Sequence, residues 1–314
     1  MYIGIDLGGT NIAAGLVNEK GDILIKDSTP TLRSRSFQEI IRDMGVLVSN
    51  IIKSSGCPME RIMGVGIGSP GVCDNQKGTI VFANNLGWVN VPISSELKKY
   101  IDKPVYMDND ANVAGLAEYM FGAGRGYNSS ITLTIGTGLG GGIVMDGKIY
   151  PGSHGVGAEL GHFIFDVNGL QCTCGNKGCW EQYVSATALA TMAQKAVSEN
   201  DSSLMLELAG GQMERIDAKV VEEAAKKGDY VAIEVFDRFI YYLAMGIISI
   251  INTFDPEVII IGGGVSKAGE FLLEPLKRKV EEHIFYNELG WADIRLAQLG
   301  NDAGIIGAAM LAKQ

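Results

Sequence analysis

A strand, a glycine-rich turn and a second strand follow one another twice in this chain, and this repeat narrows the possible folds. The first glycine turn lies at residues 6–11, and the second glycine turn lies about 130 residues later, at residues 136–142. Each copy continues into a hairpin and later into an apolar strand that ends in glycines, at 63–71 and at 258–264. A repeat that starts with a β-hairpin and continues with αβ units predicts two similar α/β lobes. The alternative, a chance match of glycine-rich hairpins, stays open.

The length and composition are consistent with two lobes. The chain has 314 residues, of which 46% are hydrophobic, and this exceeds the needs of one small core. We expect a small α/β lobe at residues 1–115, completed by a C-terminal helix at 300–314, and a large α/β lobe at 116–299. Apolar residues at helical spacing predict helices at 37–53, 111–121, 184–197, 217–227, 239–254, 270–284 and 302–312.

The net charge argues against nucleic acid as a partner, and the length of the apolar segments argues against a membrane span. The formal net charge of −10, without a cluster of Lys or Arg, argues against a nucleic-acid surface. The longest uncharged run, at residues 239–254, is too short for a membrane span and predicts a buried helix. Met1 leads directly into an apolar run without a basic segment, so we expect no secretory leader and a reducing, cytoplasmic location.

Three of the five cysteines and one of the three histidines lie close together in a glycine-rich loop. These residues are His162, Cys172, Cys174 and Cys179. Three thiolates and an imidazole form the tetrahedral ligand set of a structural zinc site, so the cluster predicts bound Zn²⁺. A reducing compartment disfavours a disulfide, and Cys-x-Cys is not the redox motif Cys-x-x-Cys. Buried free thiols are a third alternative, which fits the isolated Cys57 and Cys73 better.

The glycine turns have the composition of phosphate-binding loops. Glycine lets the backbone approach a ligand, and successive backbone N–H groups form a concave anion site. Asp6 would repel phosphate unless a cation such as Mg²⁺, held through water, lies between them. Glycines 262–264 leave a flat wall for an adenine or a ribose. We assign to nucleotide binding Asp6, Gly8, Gly9, Thr10, Asn11, Gly136, Thr137, Gly138, Gly262, Gly263 and Gly264. Either turn alone fits a structural hairpin equally well.

Asp110 is the candidate catalytic base. It lies between an apolar strand at 105–107 and the helix at 111–121, where it could accept a proton from a hydroxyl that attacks a γ-phosphate. The alternatives are that Asp110 only caps the helix, and that Asp108 and Asn109 are turn residues.

Polar residues elsewhere suit the hydroxyl groups of a sugar. Donors and acceptors of this kind are offered by Asn109, Asp110, Glu159, His162 and Glu181. His162 could instead serve the metal alone, and Glu181 could be a solvated loop acid.

Several motifs of the chain together resemble one family. The motifs are Asp6-Leu-Gly-Gly-Thr-Asn11, Asn109-Asp110, Gly136-Thr-Gly-Leu-Gly-Gly-Gly142, Glu159-Leu-Gly-His162 and Cys172-Thr-Cys-Gly-Asn-Lys-Gly-Cys-Trp-Glu181. They resemble the ROK family (repressors, open reading frames, kinases), most closely its bacterial glucokinases, over essentially the whole chain. The resemblance implies an α/β, actin/hexokinase-like (ribonuclease H-like) fold with duplicated βββαβα lobes, an ATP site in the cleft, and a homodimer or a dimer of dimers.

On matching positions the resemblance implies residue roles. Asp110 would take the proton from the sugar 6-hydroxyl. Asn109, Glu159, His162 and Glu181 would hold the sugar hydroxyls, and His162 with the three loop cysteines would hold zinc. Gly71, Asn84 and Asn85 lie in segments that we expect to line the sugar site.

The resulting hypothesis is an ATP- and Mg²⁺-dependent kinase that converts D-glucose to glucose 6-phosphate. Alternatives with the same fold accept N-acetylmannosamine, N-acetylglucosamine, mannose, allose or fructose. A non-catalytic sugar-binding regulator is disfavoured by Asp6, Thr10 and Asp110, and an actin-like ATPase is disfavoured by the cysteine-rich loop. ROK repressors carry an extra N-terminal helix-turn-helix, and the first glycine turn begins here at Asp6, so we expect no DNA binding.

Overall fold

The computed structural model describes residues 1–200 and 202–313 of the chain. The chain forms two compact units. Unit 1 comprises Met1–Thr132, Gly142–Ala158 and the chain from Gln298 onward. Unit 2 comprises Leu133–Gly141 and Glu159–Ala297. The lobe boundaries at 1–115 and 116–299 stay a prediction.

Strands predominate in the first half of the described chain, and helices predominate in the second half. The strands are β1 (Tyr2–Leu7), β2 (Asn11–Val17), β3 (Ile23–Pro30), β4 (Gly64–Ser69), β5 (Val72–Asp74), β6 (Thr79–Ala83), β7 (Trp88–Val91), β8 (Val105–Asn109), β9 (Ser129–Ile135), β10 (Leu139–Met145), β11 (Lys148–Ile149), β12 (Val258–Gly262) and β13 (Asp293–Leu296). The helices are α1 (Phe37–Ser55), α2 (Ile93–Leu97), α3 (Asp110–Phe121), α4 (Glu181–Val184), α5 (Ala186–Glu199), α6 (Leu204–Leu208), α7 (Ala218–Lys226), α8 (Tyr230–Phe254), α9 (Glu270–His283) and α10 (Ala303–Leu311).

The first copy of the repeat forms a mixed sheet with the strand order β3-β2-β1-β4-β8. Strand β1 pairs antiparallel with β2 and parallel with β4, and β4 pairs parallel with β8. The carboxyl ends of three parallel strands therefore lie at one edge of this sheet. Ligands of open α/β sheets bind at such edges. Asp6 and Asn109, at the ends of β1 and β8, both lie there.

The second copy forms a sheet with the order β11-β10-β9-β12-β13. This order matches that of the first sheet. In both sheets the third strand of the repeat lies at one edge, followed by the second and the first strand and then by two further strands. Strand β10 pairs antiparallel with β11, and β12 pairs parallel with β13, as in the first copy. The shared topology confirms the predicted duplicated α/β fold, and a chance match of glycine hairpins does not explain it.

The segment between β4 and β8 holds a small antiparallel sheet that the sequence did not predict. Its strand order is β5-β6-β7, and its strands have three to five residues each. Such short strands offer too few positions for an alternating pattern to be recognised. Gly71 precedes β5, and Asn84 begins a 3-10 turn after β6.

Two predicted helices differ from those observed. The helix predicted at 239–254 begins earlier, at Tyr230, after the N-cap Asp229. The uncharged run covers only the later turns of α8, because the first turns carry acidic and basic side chains on their exposed face. The segment predicted at 184–197 is two helices, since Ser185 ends α4 and caps α5. Among the described helices, none is long and apolar enough to cross a membrane.

Helix α10 approaches its neighbours in unit 1 at backbone distance. A Cβ at Gly4 in β1 would lie 1.9 Å from the carbonyl oxygen of Ile305. A Cβ at Gly307 would lie 1.7 Å from the carbonyl oxygen of Val113 in α3. Only glycine permits such approach. Helix α10 is therefore wedged between the first sheet and α3.

The substitution Gly307→Ala should destabilise the protein, although alanine is the better helix former. Helix propensity alone would add about 0.5–1 kcal/mol of stability. Overpacking against the Val113 carbonyl should cost about 1–3 kcal/mol, which exceeds the gain from helix propensity. Urea unfolding followed by circular dichroism measures the difference. The control Asn50→Ala, on the exposed face of α1, should stay within about 0.5 kcal/mol of the parent. A stabilised Gly307→Ala would contradict the close packing.

Candidate active site

Asp110 is the first residue of α3, directly after β8. The N-cap of this helix is Asn109, whose side-chain oxygen accepts a hydrogen bond from the Ala111 N–H at 2.9 Å. The Asp110 Oδ1 accepts from the same N–H at 2.8 Å. The structure thus gives the capping role to Asn109 and not to Asp110. The Asp110 carboxyl group keeps contact with solvent and remains available for a ligand.

Asp6 and Asp110 lie close enough within unit 1 for their charges to interact. Burial, and next the negative charge of Asp110, raise the pKa of Asp6 from 3.8 to about 6. Burial also raises the pKa of Asp110, while backbone hydrogen bonds oppose this shift. Two neighbouring carboxylates repel each other unless a cation balances their charge. The pair therefore fits the hydrated Mg²⁺ that the sequence predicted beside Asp6.

Asp108 stabilises the junction between β8 and α3. Its Oδ1 accepts hydrogen bonds from the Asn109 N–H at 2.7 Å and from the Asn112 Nδ2 at 2.8 Å. Burial raises the pKa of Asp108, and these two hydrogen bonds lower it. Asp108 therefore has a structural role beside Asp110. This agrees with the alternative that Asp108 is a turn residue.

The first glycine turn is tied to the buried Thr31. The Thr31 hydroxyl donates to the Gly8 carbonyl at 2.7 Å, and the Thr31 N–H donates to the Thr10 carbonyl at 2.9 Å. The Gly8 N–H donates across the turn to the Asn11 carbonyl at 3.0 Å. Thr10 and Asn11 stay exposed, so their side chains are accessible to a ligand.

Unit 1 brings three predicted sugar-site segments near this turn. The Asn109 Nδ2 donates to the Gly71 carbonyl at 3.1 Å. Gly71 has a φ of +87°, and a Cβ there would lie 2.0 Å from a backbone oxygen, so only glycine fits. Asn84 is exposed in its 3-10 turn, and the next residue, Asn85, lies 3.6 Å from the Cβ position of Gly9.

The second glycine turn is built against Glu181 in unit 2. The Leu139 N–H donates to the Glu181 Oε2 at 2.9 Å. A Cβ at Gly138 would lie 2.4 Å from the same oxygen. The Thr187 hydroxyl of α5 donates to the Thr137 carbonyl at 2.8 Å. Glu181 is thus half-buried and hydrogen-bonded, and the solvated-acid alternative is wrong.

A cavity of about 620 Å³ begins at this turn, entirely within unit 2. Two predicted nucleotide residues, Thr137 and Gly264, contribute to its lining. The sequence did not identify the rest of the lining, which includes Ala186, Ala190, Gln194, Ile216, Lys219, Phe236, Val265 and Lys267. These residues come from separate helices and turns, so no local motif marks them. The small residues at 186 and 190, one helical turn apart, were the one available signal.

Gly262 ends β12, and Gly264, two residues later, lines this cavity. Gly263 has a φ of +83°, and a Cβ there would lie 2.3 Å from the Ile135 carbonyl oxygen. A Cβ at Gly264 would meet nothing within 4 Å. The segment therefore packs on β9 at Gly263 and leaves open space at Gly264; its role as a flat wall for a nucleotide stays a prediction.

The four predicted metal ligands lie together in unit 2. The ligand atoms of His162, Cys172, Cys174 and Cys179 are all within 4.8 Å of one another. The Cys172 Sγ lies 3.8 Å from the His162 Nδ1, and the Cys174 and Cys179 Sγ atoms lie 3.5 Å apart. Tetrahedral zinc, with bonds of about 2.0–2.3 Å, separates its ligand atoms by roughly 3.4–3.8 Å. The cysteines are free thiols, so the cluster fits zinc and not a disulfide.

The cysteine thiols differ in how readily they lose their protons. Burial raises the pKa of the Cys179 thiol to about 12. Zinc bound there would have to displace that proton, because the thiolate is the metal ligand. The backbone N–H of Asn176 lowers the pKa of the exposed Cys174 thiol. The Gln182 Nε2 lies 3.6 Å from the Cys172 Sγ and orients that ligand.

Residues 162–179, which carry the four predicted zinc ligands, form a loop that is named the zinc loop here. Trp180 anchors this loop to the core of unit 2. Its side chain is fully buried and stacks on Phe163, with ring centroids 5.0 Å apart. Its Nε1 donates to the Tyr242 carbonyl of α8 at 3.0 Å. Gly246 admits the indole, because a Cβ there would lie 2.0 Å from Trp180 Cε2.

Glu159 and His162 belong to one tight turn that follows the chain's return to unit 2. The His162 N–H donates to the Glu159 carbonyl at 3.0 Å, and the Glu159 residue is exposed. The turn packs on the second glycine turn, since the Cβ position of Gly161 lies 2.3 Å from the Leu139 carbonyl oxygen. Unit 2 therefore brings Glu159, His162 and Glu181 around the same turn.

The chain is similar to known proteins over its whole length. The chain is 42% identical over 313 residues to a glucokinase of Thermotoga maritima, covering 99% of this chain and 97% of that protein. It is 37% identical over 319 residues to a glucokinase of Streptomyces coelicolor, covering 100% and 98%. It also resembles the crystal structure of a ROK family glucokinase from Streptomyces griseus in complex with glucose and AMPPNP. That likeness has a TM-score of 0.85 at 37% identity and covers 100% of this chain and 99% of that chain.

The family model of the ROK family matches residues 2–314. This chain belongs to the ROK family. Its fold is the mixed α/β, two-lobe, actin/hexokinase-like fold of ROK glucokinase structures, as the sequence predicted.

The purified protein should contain about one zinc ion per chain, and the metal should survive desalting. The substitution Cys174→Ala should release it, because three ligands hold zinc much more weakly than four. Cys57→Ala, outside the cluster, is the matched control and should keep the metal. Elemental analysis measures both. A parent protein that is metal-free and equally stable would refute the zinc site.

The raised pKa of Asp6 predicts a pH-dependent stability. The folded protein binds this proton more tightly than the unfolded chain. The associated stability is therefore complete below pH 3.8 and is lost as the pH rises through about 6. Asp6→Asn, which cannot ionise, should be more stable than the parent above pH 6, by at most about 3 kcal/mol.

Urea unfolding in Mg²⁺-free buffer between pH 4 and 7 tests this prediction. The stability difference between Asp6→Asn and the parent should vanish towards pH 4, where the parent carboxyl group is protonated as well. A difference that does not change with pH would mean that the Asp6 carboxyl group titrates alike in the folded and unfolded chains.

Proposed function

We propose that this protein transfers the γ-phosphoryl group of ATP to the 6-hydroxyl of D-glucose. The observation that carries the proposal is the pair of Asp6 and Asp110, two interacting carboxyl groups at one edge of the first sheet. One carboxylate can bind the cation of a nucleotide while the other accepts a proton. The similarity to glucokinases over the whole chain supports glucose as the acceptor.

Asp110 is the proposed catalytic base. It would accept the proton of the 6-hydroxyl as that oxygen attacks the γ-phosphorus, and the bond to the β-phosphate oxygen would break. Burial raises the pKa of Asp110 and makes it a stronger base than an ordinary aspartate. Its place in the first turn of α3 opposes this rise, because the helix N-terminus and the backbone hydrogen bonds favour negative charge.

Asp6 is the residue that would hold a hydrated Mg²⁺, which supplies charge balance between the carboxylates and the phosphates when bound. In unit 1, Gly8, Gly9, Thr10 and Asn11 would bind phosphate oxygens through backbone and side-chain donors.

In unit 2 we assign nucleotide contacts to both glycine segments and to the cavity beside them. The proposed residues are Gly136, Thr137, Gly138, Gly262, Gly263 and Gly264. The cavity of about 620 Å³ suits an adenosine in size, and its apolar wall includes Ile216 and Val265. The solved Streptomyces griseus relative, which holds AMPPNP, supports ATP as the donor.

The sugar contacts are proposed as two groups. In unit 1 they are Gly71, Asn84, Asn109 and Asp110; in unit 2 they are Glu159, His162 and Glu181. Asn109 and Glu181 already bind backbone groups, which fixes their side chains before a sugar arrives. His162 would bind zinc through Nδ1 and leave Nε2 for a hydroxyl.

The remaining assignments complete the proposal. The zinc loop would be structural, with four protein ligands and no open position. We propose lobes at 1–115 with 300–314 and at 116–299, a homodimer or dimer of dimers, a cytoplasmic location, and a role at the entry of glucose into glycolysis.

A screen of sugars with the purified enzyme, ATP and Mg²⁺, read by coupled ADP detection, tests the acceptor. Glucose should give the highest kcat/KM. The competing sugars are N-acetylmannosamine, N-acetylglucosamine, mannose, allose and fructose. A clear preference for one of these would replace glucose as the substrate, and ADP release independent of any sugar would refute the kinase.

The substitution Asp110→Asn should lower kcat by about 10²–10⁴-fold, because a general base acts in the transition state. Glucose binding, measured by calorimetry, should stay close to that of the parent, since asparagine keeps the shape of the side chain. Asp102→Asn, an exposed residue before β8, is the control and should leave turnover unchanged. Near-normal turnover of Asp110→Asn would remove Asp110 from the mechanism.

A further inference from the structure

Glu118, near the end of α3, is a buried carboxylate to which the catalytic proposal assigns no role. The residue is 1% exposed. Its hydrogen-bond partners are backbone N–H groups and not a cationic side chain. Buried carboxylates are costly unless their oxygens are satisfied, so such a group needs a structural or functional reason.

Three backbone N–H groups from two distant segments converge on this carboxylate. Oε1 accepts from Gln298 at 2.9 Å and from Leu299 at 2.8 Å. Oε2 accepts from Ala123 at 3.0 Å and from Gln298 at 3.1 Å. Both oxygens are needed as acceptors. A glutamine would present an NH₂ group to some of these donors and could not replace the second acceptor oxygen.

Glu118 joins α3 to the chain that enters α10, and these two elements lead to Asp110 and Asp6, the two carboxylates of the candidate site. On one side, α3 runs as a continuous helix from Asp110 to Glu118 and beyond. On the other side, Leu299 leads through a 3-10 turn into α10. In the first turn of α10, the Cβ position of Gly304 lies 2.5 Å from the Asp6 Oδ2. Helix α10 therefore forms the wall against which the Asp6 side chain rests.

We propose that Glu118 is a positioning residue for Asp6 and Asp110. Its carboxylate fastens the entry of α10 to the end of α3, so that the start of α10 covers Asp6 while the start of α3 carries Asp110. All of these residues belong to unit 1. The kinetic consequences rest on the proposed function, whereas the structural consequences do not.

The test variant is Glu118→Gln, which keeps the size of the side chain and removes one acceptor and the charge. Glu118→Asp is the second variant, because it keeps the charge with a shorter reach. Leu97→Ala is the matched control: it truncates a fully buried side chain in α2 of the same unit, outside the proposed site. The control separates loss of positioning from loss of stability.

Hydrogen exchange followed by mass spectrometry gives a readout independent of activity. Glu118→Gln should exchange faster at residues 298–304 and, at a distance, at the first glycine turn, residues 6–11. Glu118→Asp should show the same pattern with smaller changes. Leu97→Ala should not accelerate exchange selectively at these two segments. In either Glu118 variant, faster exchange at 298–304 with an unchanged first turn would overturn the proposal, since the carboxylate would then act only locally.

Kinetics supply the second readout. Glu118→Gln should lower kcat/KM for MgATP by about tenfold, while KM for glucose changes less than about twofold, because Asp6 is the displaced group. Leu97→Ala should keep both parameters. Parent-like kinetics of Glu118→Gln would overturn the positioning role. If the parent itself phosphorylates no sugar, the proposed function fails, and hydrogen exchange still decides the positioning of Asp6.

Discussion

The contact of α10 with the first sheet and with α3 is the constraint on which the candidate site depends. Gly4 and Gly307 let the helix backbone reach the neighbouring elements without intervening side chains. Close-packed elements deform little, so their termini are placed with small tolerance. Asp6 rests against the start of α10, and Asp110 begins α3. Backbone packing thereby sets the positions from which the side chains of Asp6 and Asp110 extend.

That arrangement is unfavourable for the folded chain by itself. Burial and mutual repulsion raise the pKa of Asp6 to about 6, so the charged pair at neutral pH reduces stability. The proposed roles, cation binding at Asp6 and proton acceptance at Asp110, would nevertheless need both charges. A bound cation would offset the repulsion, so part of its binding free energy would be stability regained. Function and stability would then oppose each other at these residues, as is usual for active sites.

The sequence revealed the features that are local, and it missed those that depend on distant contacts. The repeat was visible because glycines and apolar runs recur in the same order, and the metal ligands were visible because their residue types are restricted. By contrast, the hydrogen bond from Leu139 to Glu181 joins residues 42 positions apart. The cavity beside Thr137 is assembled from several helices. The sequence suggested Asp110 as a possible cap and Asn109 as a turn residue, and only the backbone geometry assigns the cap to Asn109.

The zinc loop and the second glycine turn behave as one structural element within unit 2. The cluster ends at Cys179, the next residue, Trp180, is fixed in the core, and Glu181 then binds the turn through Leu139. Trp180 holds the loop to α8 through the Tyr242 carbonyl and, by stacking on Phe163, also holds the residue that follows His162. A zinc ion bound by the four predicted ligands would add a second closure, between His162 and the three cysteines. Loss of such an ion would therefore loosen the segment around Cys172 and Cys174, while Phe163 and Glu181 stay attached to the core through Trp180.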